Sequence, residues 1–279
     1  MLKVLKSGFY TSIQDEGRFN YRNKGVPISG AMDLSSAFKA NTLLENDTNS
    51  PVLEITMTGP TLVFEEETYI VIAGATMSVM LNNQSIQNYK VYQIDVGDML
   101  SYGKLQSGFR GYLAIKGGFE VKPILGSTSF YAPVSRENRL QDGDILSFNY
   151  KRLFSPKISE IKVDSYLNET ILEVDRGPEY ELLNNTTTKH LLDTEFTVSK
   201  ENNRVAYRLK QLLIAHTRRM QTSATLPGTV QLTPNGELII LMKDGQTTGS
   251  YPRILQLTDD AICILAQKKE GDLISFKLE

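Results

Sequence analysis

The chain has almost no cysteine or histidine, with one Cys and two His in 279 residues. Cys263 has no second cysteine for an internal disulfide, and its place in the apolar run AICILA marks it as a buried, inert thiol. With only His190 and His216, a conventional zinc site is not expected, and both histidines read as structural or surface residues. An excess of either charge is missing too. Thirty basic residues stand against 32 acidic ones, which leaves no field to draw nucleic acid or an anionic membrane. No run approaches the ~20 apolar residues of a membrane span. The apolar part of MLKVLKSGFY is too short for a signal peptide, so a cytoplasmic protein is expected. GxGxxG, HExxH, CxxC and GxSxG do not occur. The nearest approach to a P-loop, Gly97 to Gly103-Lys104-Leu105, has five residues between its glycines instead of four and ends without the magnesium-binding hydroxyl. Chemistry is left to carboxylates, arginines, hydroxyls and amides.

The length suits one large domain or two of typical size. GDMLSY, GDILSF and GDLISF begin at Gly97, Gly143 and Gly271, each a glycine turn followed by a strand-like pattern. Uneven spacing points to two related β units and not to a solenoid. TYIVIAGA (68–75), TMSVML (76–81), YLAIKGG (112–118) and ELIILM (237–242) read as strands. Asn235-Gly236 in LTPNGELI predicts a hairpin. Two helical patches stand out. DLSSAFKANTLLEN follows Asp33 as N-cap, and TTTKHLLDTEF (186–196) has a threonine cap. The expectation is a mainly β protein with a few short helices. The polar stretch 155–170 bridges its halves, which are placed at 1–160 and 161–279.

Two constellations carry candidate chemistry. TSIQDEGRFNYRNKGVPISGAMD (11–33) gathers Asp15, Arg18, Tyr21, Arg22, Ser29 and Asp33 among Gly17, Gly25 and Gly30. Glycines permit close backbone approach, and arginine forks bind carboxylate or phosphate. The alternative is a solvated loop laced with salt bridges. Asn41, on the apolar stripe of the following helix, needs a polar partner from the preceding loop or a ligand, since an unpaired amide costs about 1–3 kcal/mol. The second constellation, KDGQTTGSYPRI (243–254), brackets Gln246, Thr247 and Thr248 between glycines, with Tyr251 and Arg253 following. LPGTVQL offers Gln231 beside it. A plain hairpin turn is the alternative there.

Together these segments, with Ala40-Asn41, LEITMTGPTLVF (53–64), LPGTVQLTPNGE (226–237) and DGQTTGSYPRI (244–254), resemble the biotin-dependent carboxyltransferase family, also called allophanate hydrolase subunit 2. That family includes KipA and the C component of 5-oxoprolinase, PxpC. The resemblance implies two cyclophilin-like β-barrel units. It also implies a partner of the allophanate hydrolase subunit 1 or KipI type, equivalent to the B component of 5-oxoprolinase, and in the oxoprolinase assembly an A component as well. The implied activity is ATP-dependent opening of 5-oxoproline to glutamate, with ATP and magnesium supplied through the complex. The alternatives are carboxyl transfer from carboxybiotin borne by another chain, since no Met-Lys-Met biotin site is present, or regulatory binding of the KipA kind. On the first reading Arg18, Arg22 and Arg253 contact anions, and Asp15 and Asp33 orient the arginines or hold magnesium. Tyr21, Ser29, Asn41, Gln231, Gln246, Thr247, Thr248 and Tyr251 surround the substrate. Four departures from the family pattern are visible: a shortened stretch FYAPVSRENRLQDGD, Arg204-Val205-Ala206, QTSAT (221–225) and Gly249-Ser250-Tyr251.

Overall fold

The computed structural model describes residues 1–149, 154–163, 165–217 and 220–279. They form two compact units. The first comprises Met1–Arg18 and Ser29–Asn168, the second Phe19–Ile28 and Glu169–Glu279. The opening charged segment is thus divided: its middle, with Tyr21 and Arg22, groups with the second unit. The proposed bridging stretch contains Asp164, which lies outside the described residues.

The first unit has nine strands: β1 (Leu2–Lys6), β2 (Tyr10–Gln14), β3 (Val52–Thr56), β4 (Thr61–Phe64), β5 (Thr68–Leu81), β6 (Gln84–Ser85), β7 (Val91–Ile94), β8 (Met99–Ile115) and β9 (Ile145–Leu146). They pair in the order β2-β3-β8-β4-β1-β9, while β5 joins β8 and carries β6 and β7. TYIVIAGA and TMSVML are one strand and not two. Bulges beside Gly74, whose φ is +77°, let the chain bend without leaving the sheet. The apolar run there has a physical origin. Ile70 and Ile72 pack into the sheet's concave core, and Val71 and Ala73 meet α1 (Leu34–Leu43) on the other face. A strand covered on both sides has no polar alternation. The helix begins where its cap predicts, with Ser36 N–H donating to the Asp33 carboxylate at 3.0 Å.

The second unit contains β10 (Ile171–Arg176), β11 (Phe196–Asn202), β12 (Ala206–Leu209), β13 (Ser223–Ala224), β14 (Thr229–Leu232), β15 (Leu238–Leu241), β16 (Thr248–Gly249), β17 (Arg253–Leu257) and β18 (Leu273–Leu278). Seven of them close a barrel in the order β10-β17-β14-β15-β12-β11-β18, sealed by the parallel pair β10/β18. The strands β13 and β16 form a separate two-stranded ribbon. The Asn235-Gly236 hairpin joins β14 to β15, with Gly236 at φ +88°. The mainly β fold matches expectation, though among the described residues only this second sheet is a closed barrel; the first is curled and open. Two helical details differ from the sequence reading. α2 (Asn185–Asp193) is capped by Asn184, not by a threonine, and AICILA lies in α3 (Asp259–Ala266), capped by Thr258. Asp259 and Asp260 in its first turn complement the helix dipole, a signal hidden by the continuous apolar run. Cys263 is buried there.

The three GD repeats build one hydrogen-bonded clip. Gly97, Gly143 and Gly271 N–H groups donate to Phe64, Val4 and Val198 carbonyls at 2.7, 2.8 and 3.0 Å, and those residues return N–H bonds to Asp98, Asp144 and Asp272 at 2.9, 2.8 and 2.9 Å. Each aspartate carboxylate accepts from the N–H three residues earlier, at Asp95, Gln141 and Lys269. The glycines have φ of +91°, +91° and +88°, and no atom lies within 4 Å of where a Cβ would stand. Gly→Ala at 97, 143 or 271 therefore tests backbone strain alone. Each change is expected to cost about 1–2 kcal/mol in urea denaturation, and an unchanged midpoint would show that the left-handed turn is dispensable.

Candidate substrate site

In the first unit Asp15 is a loop builder. Its carboxylate accepts hydrogen bonds from Gly17 N–H (2.8 Å), Ser127 Oγ (2.6 Å), Thr128 N–H (2.6 Å), Thr128 Oγ1 (3.0 Å) and Ser129 Oγ (2.6 Å). The loop so held presents the Ser129 carbonyl to Arg18 Nη2, while Arg18 Nε donates to Ile124 O at 3.3 Å. Arg18 is 1% exposed and faces a cleft of about 330 Å³ lined also by Glu120, Lys122, Phe130 and Glu137. Asp33 fastens α1. Besides its cap bond, it accepts from Ser36 Oγ at 2.8 Å and from the Tyr166 hydroxyl at 2.7 Å. Burial, then the Asp33 charge, push the Tyr166 phenol well above its ordinary range. Both carboxylates are thus filled by N–H and O–H donors, a poor fit for magnesium. Among the described residues no three His, Cys, Asp or Glu side chains converge as a metal site. Asn41 finds its partners in the turn that follows the helix, and not in the loop before it: it donates to Ser50 O (2.8 Å) and Thr48 O (3.3 Å) and accepts from Asn46. Ser29 is buried with φ +58°, its hydroxyl lacking a partner among the described residues.

The second unit brings most of the other candidates together around Ala224 and Thr225. Arg253, on β17, forks Glu179 through Nε (2.8 Å) and Nη2 (2.7 Å), and its Nη1 donates to Ala224 O at 2.6 Å. Arg22 Nη2 donates to the next carbonyl, that of Thr225. Thr225 in turn donates through N–H to Thr247 O (3.1 Å) and through Oγ1 to Gln246 O (2.6 Å). Gln246 is exposed, and its Nε2 reaches the Oε1 of buried Gln231 at 3.3 Å. The base of this loop is anchored by the buried fork Arg204–Asp244, at 2.7 and 3.2 Å. Thr248 and Tyr251 are exposed, and Tyr21 is half-buried with the Lys24 ammonium 5.5 Å from its ring centroid. The two arginines differ electrostatically. Hydrogen bonding from Arg253 holds Glu179 below the usual carboxylate range, and Glu179 raises Arg253. Arg253 is therefore a neutralised clamp, contrary to the free anion contact read from sequence. Half-buried Arg22 has no ion-pair partner among the described residues, and burial pulls its pKa below the ordinary guanidinium value.

Comparison with known proteins places this geometry. A family model described as the carboxyltransferase domain, subdomains A and B, matches residues 24–278. The chain belongs to this carboxyltransferase family. It is 34% identical to the C component of 5-oxoprolinase from Escherichia coli, covering 99% of this chain and 90% of the relative, and 31% identical to the same-named protein of Haemophilus influenzae over 99% and 91%. Urea amidolyase of Lachancea kluyveri is 39% identical over 56% of this chain, which spans 9% of that protein. Among solved structures, Kluyveromyces lactis urea amidolyase superposes with a TM-score of 0.90 at 29% identity, covering 99% of this chain and 18% of that one. TTHA0988 superposes at 0.91 with 27% identity; the chain spans 55% of its length.

Several residues of this family member escaped sequence reading. Ser127, Thr128 and Ser129 belong to a run of small hydroxyls after Gly126, a loop signature that the shortened stretch beginning at Phe130 overshadowed. Thr225 ends QTSAT, and Glu179 follows a Gly-Pro turn; neither carries a local signal. The Glu179–Arg253 fork generates a pH test with a defined sign. Because Glu179 is depressed when folded, its contribution is present above the unfolded carboxylate pKa of about 4.3 and lost as pH falls through the lower folded value. Wild type should exceed Glu179→Gln in stability at pH 7, and the gap should close toward pH 3. A gap unchanged by acid would show that the fork adds nothing.

Proposed function

We propose that the chain is the C component of a multi-component, ATP-dependent 5-oxoprolinase, holding the lactam while its oxygen is phosphorylated. The observation that carries this reading is coverage of the relatives' own length: the chain spans 90% and 91% of the two oxoprolinase C components, but 9% of the urea amidolyase sequence relative and 18% of the urea amidolyase structure. On this reading Arg22 meets the substrate carboxylate or a phosphoryl oxygen, because it is half-buried and no carboxylate among the described residues answers its charge. Arg253 positions the 224–225 segment. Gln231, Gln246, Thr247, Thr248 and Tyr251 surround the amide, and Arg18 with Asp15 shapes a cleft of the first unit. Phosphorylation turns the lactam oxygen into a leaving group. Water then attacks the ring carbon and the C–N bond breaks as the nitrogen takes a proton, leaving an acyl phosphate that a second water hydrolyses to glutamate and phosphate. Positioning and charge neutralisation suffice for this, with no histidine or cysteine nucleophile. ATP and magnesium are assigned to other parts of the assembly, which includes partners like the B and A components of 5-oxoprolinase.

A second reading, carboxyl transfer from carboxybiotin on another chain, draws on the family description and the superposition on urea amidolyase. Coexpression with the partner proteins separates the two. The oxoprolinase releases phosphate from ATP only when 5-oxoproline is supplied, the carboxyltransferase needs a biotinylated carrier and bicarbonate, and a regulatory binder forms the complex without turnover. In an active assembly Arg22→Ala should lower turnover about 10²–10³-fold, the scale for one preorganised charge contact, with a drop in melting temperature limited to the loss of its bond to Thr225 O. Arg253→Ala should lower the melting temperature further, since it breaks the Glu179 fork as well as the bond to Ala224 O. Wild-type turnover in Arg22→Ala would remove that residue from the site.

A further inference from the structure

Gln231 occupies an unusual position for a neutral amide. It lies on β14, 1% exposed, across the ladder from Arg253 on β17. Its neighbours Val230 and Leu232 alternate with it along the strand, so Gln231 lies on the other face of β14, against the 246–249 loop. Gln246 donates to its Oε1, which leaves Nε2 as the outward-committed end of the amide. That Nε2 is buried and has no hydrogen-bond partner among the described residues. Buried polar atoms of native proteins are almost always paired, and an exception calls for an explanation. Gly249 sits directly against it: a Cβ on that residue would stand 2.3 Å from Nε2. Arg22, which has no ion-pair partner among the described residues, is tied to the same loop through Thr225.

We infer that Gln231 Nε2 is the specificity-determining donor for a carbonyl oxygen of the ligand, an amide or lactam C=O, reached when the Gly245–Gly249 loop shifts. The inference rests on the oxoprolinase reading for the choice of 5-oxoproline as ligand. Gln246 fixes the donor's sense, Gly249 leaves room for it, and Arg22 supplies the complementary contact for a carboxylate. A donor held this way distinguishes a lactam from the same ring without its oxygen.

The test compares 5-oxoproline with tetrahydrofuran-2-carboxylate, which keeps a five-membered ring and the carboxylate, carries no ring charge and lacks the carbonyl. Binding of each to the assembled complex is measured by calorimetry for wild type, Gln231→Leu and Gly249→Ala. Wild type should favour 5-oxoproline by about tenfold to a hundredfold, the range for an unpaired buried donor. Gln231→Leu should erase that preference and leave the affinity for tetrahydrofuran-2-carboxylate unchanged. Gly249→Ala should do the same with Gln231 intact. The atom it displaces is the end of a flexible side chain, so the fold survives. Gln231→Glu adds a signature that a packing role would not give: the preference should be absent at neutral pH and return in acid, where a protonated carboxyl can donate. Equal loss for both ligands in Gln231→Leu, or a preference that survives it, overturns the inference. So does wild type that binds neither. Phosphate release dependent on 5-oxoproline, measured in parallel on wild type, shows separately whether the oxoprolinase reading has failed.

Discussion

The polar site of the second unit depends on two consecutive carbonyls, those of Ala224 and Thr225, each held by a different arginine. Hydrogen bonds from a charged donor contribute about 1.5–3 kcal/mol, against roughly 1 for neutral pairs, so a two-residue ribbon that could not persist alone is fixed in place. The rest follows from that anchoring. Thr225 carries the grip onward to the carbonyls of Gln246 and Thr247, and Gln246 passes it to Gln231 on the barrel wall. Arginine is required at position 253 for a geometric reason. One guanidinium must fork Glu179 and still direct a third N–H at Ala224, which the point charge of a lysine does not match.

Much of this was legible in the sequence where the determinants are local. Asp33 as helix cap, the Asn235-Gly236 hairpin and the GD turns each depend on residues within three or four positions, and each stands where the pattern puts it. The Gly-bracketed loop at 245–249 and the cluster at 15–33 also include the residues that gather into polar sites. Their division of labour was not legible. Whether an arginine is neutralised depends on what faces it across the fold, and Glu179 lies 74 residues from Arg253 in the chain. Asp15 likewise finds its serine loop 112–114 residues away. The parallel seam β10/β18 that closes the barrel joins the two ends of the second unit's main segment, a pairing that no local period encodes.

The clips show what repetition in a sequence can and cannot specify. The same six-residue pattern gives the same turn dihedral, the same reciprocal strand bonds and the same aspartate bond at all three sites. Yet two copies serve an open, curled sheet and the third a closed barrel. The local unit determines how a strand starts against its neighbour. Closure is decided elsewhere: the β10/β18 seam joins the ends of one sheet, and the other has no such closing pair among the described residues.

The two arginines also separate structure from recognition on physical grounds. A fork already satisfied by a carboxylate gives up that pairing to bind another anion, so Arg253 is poorly suited to a substrate and well suited to a scaffold. Arg22 has the opposite balance: burial has raised the cost of its charge, and no carboxylate among the described residues answers it. The relatives are named for urea and for 5-oxoproline, two molecules that share an amide carbonyl, of which only the second carries a carboxylate. On the proposed reading, a neutral donor beneath Gly249 serves the feature common to both. An unanswered guanidinium on the same loop serves the feature that only the lactam has. The proposed specificity then resides in the combination of one charged and one uncharged donor, held together through the backbone of Thr225.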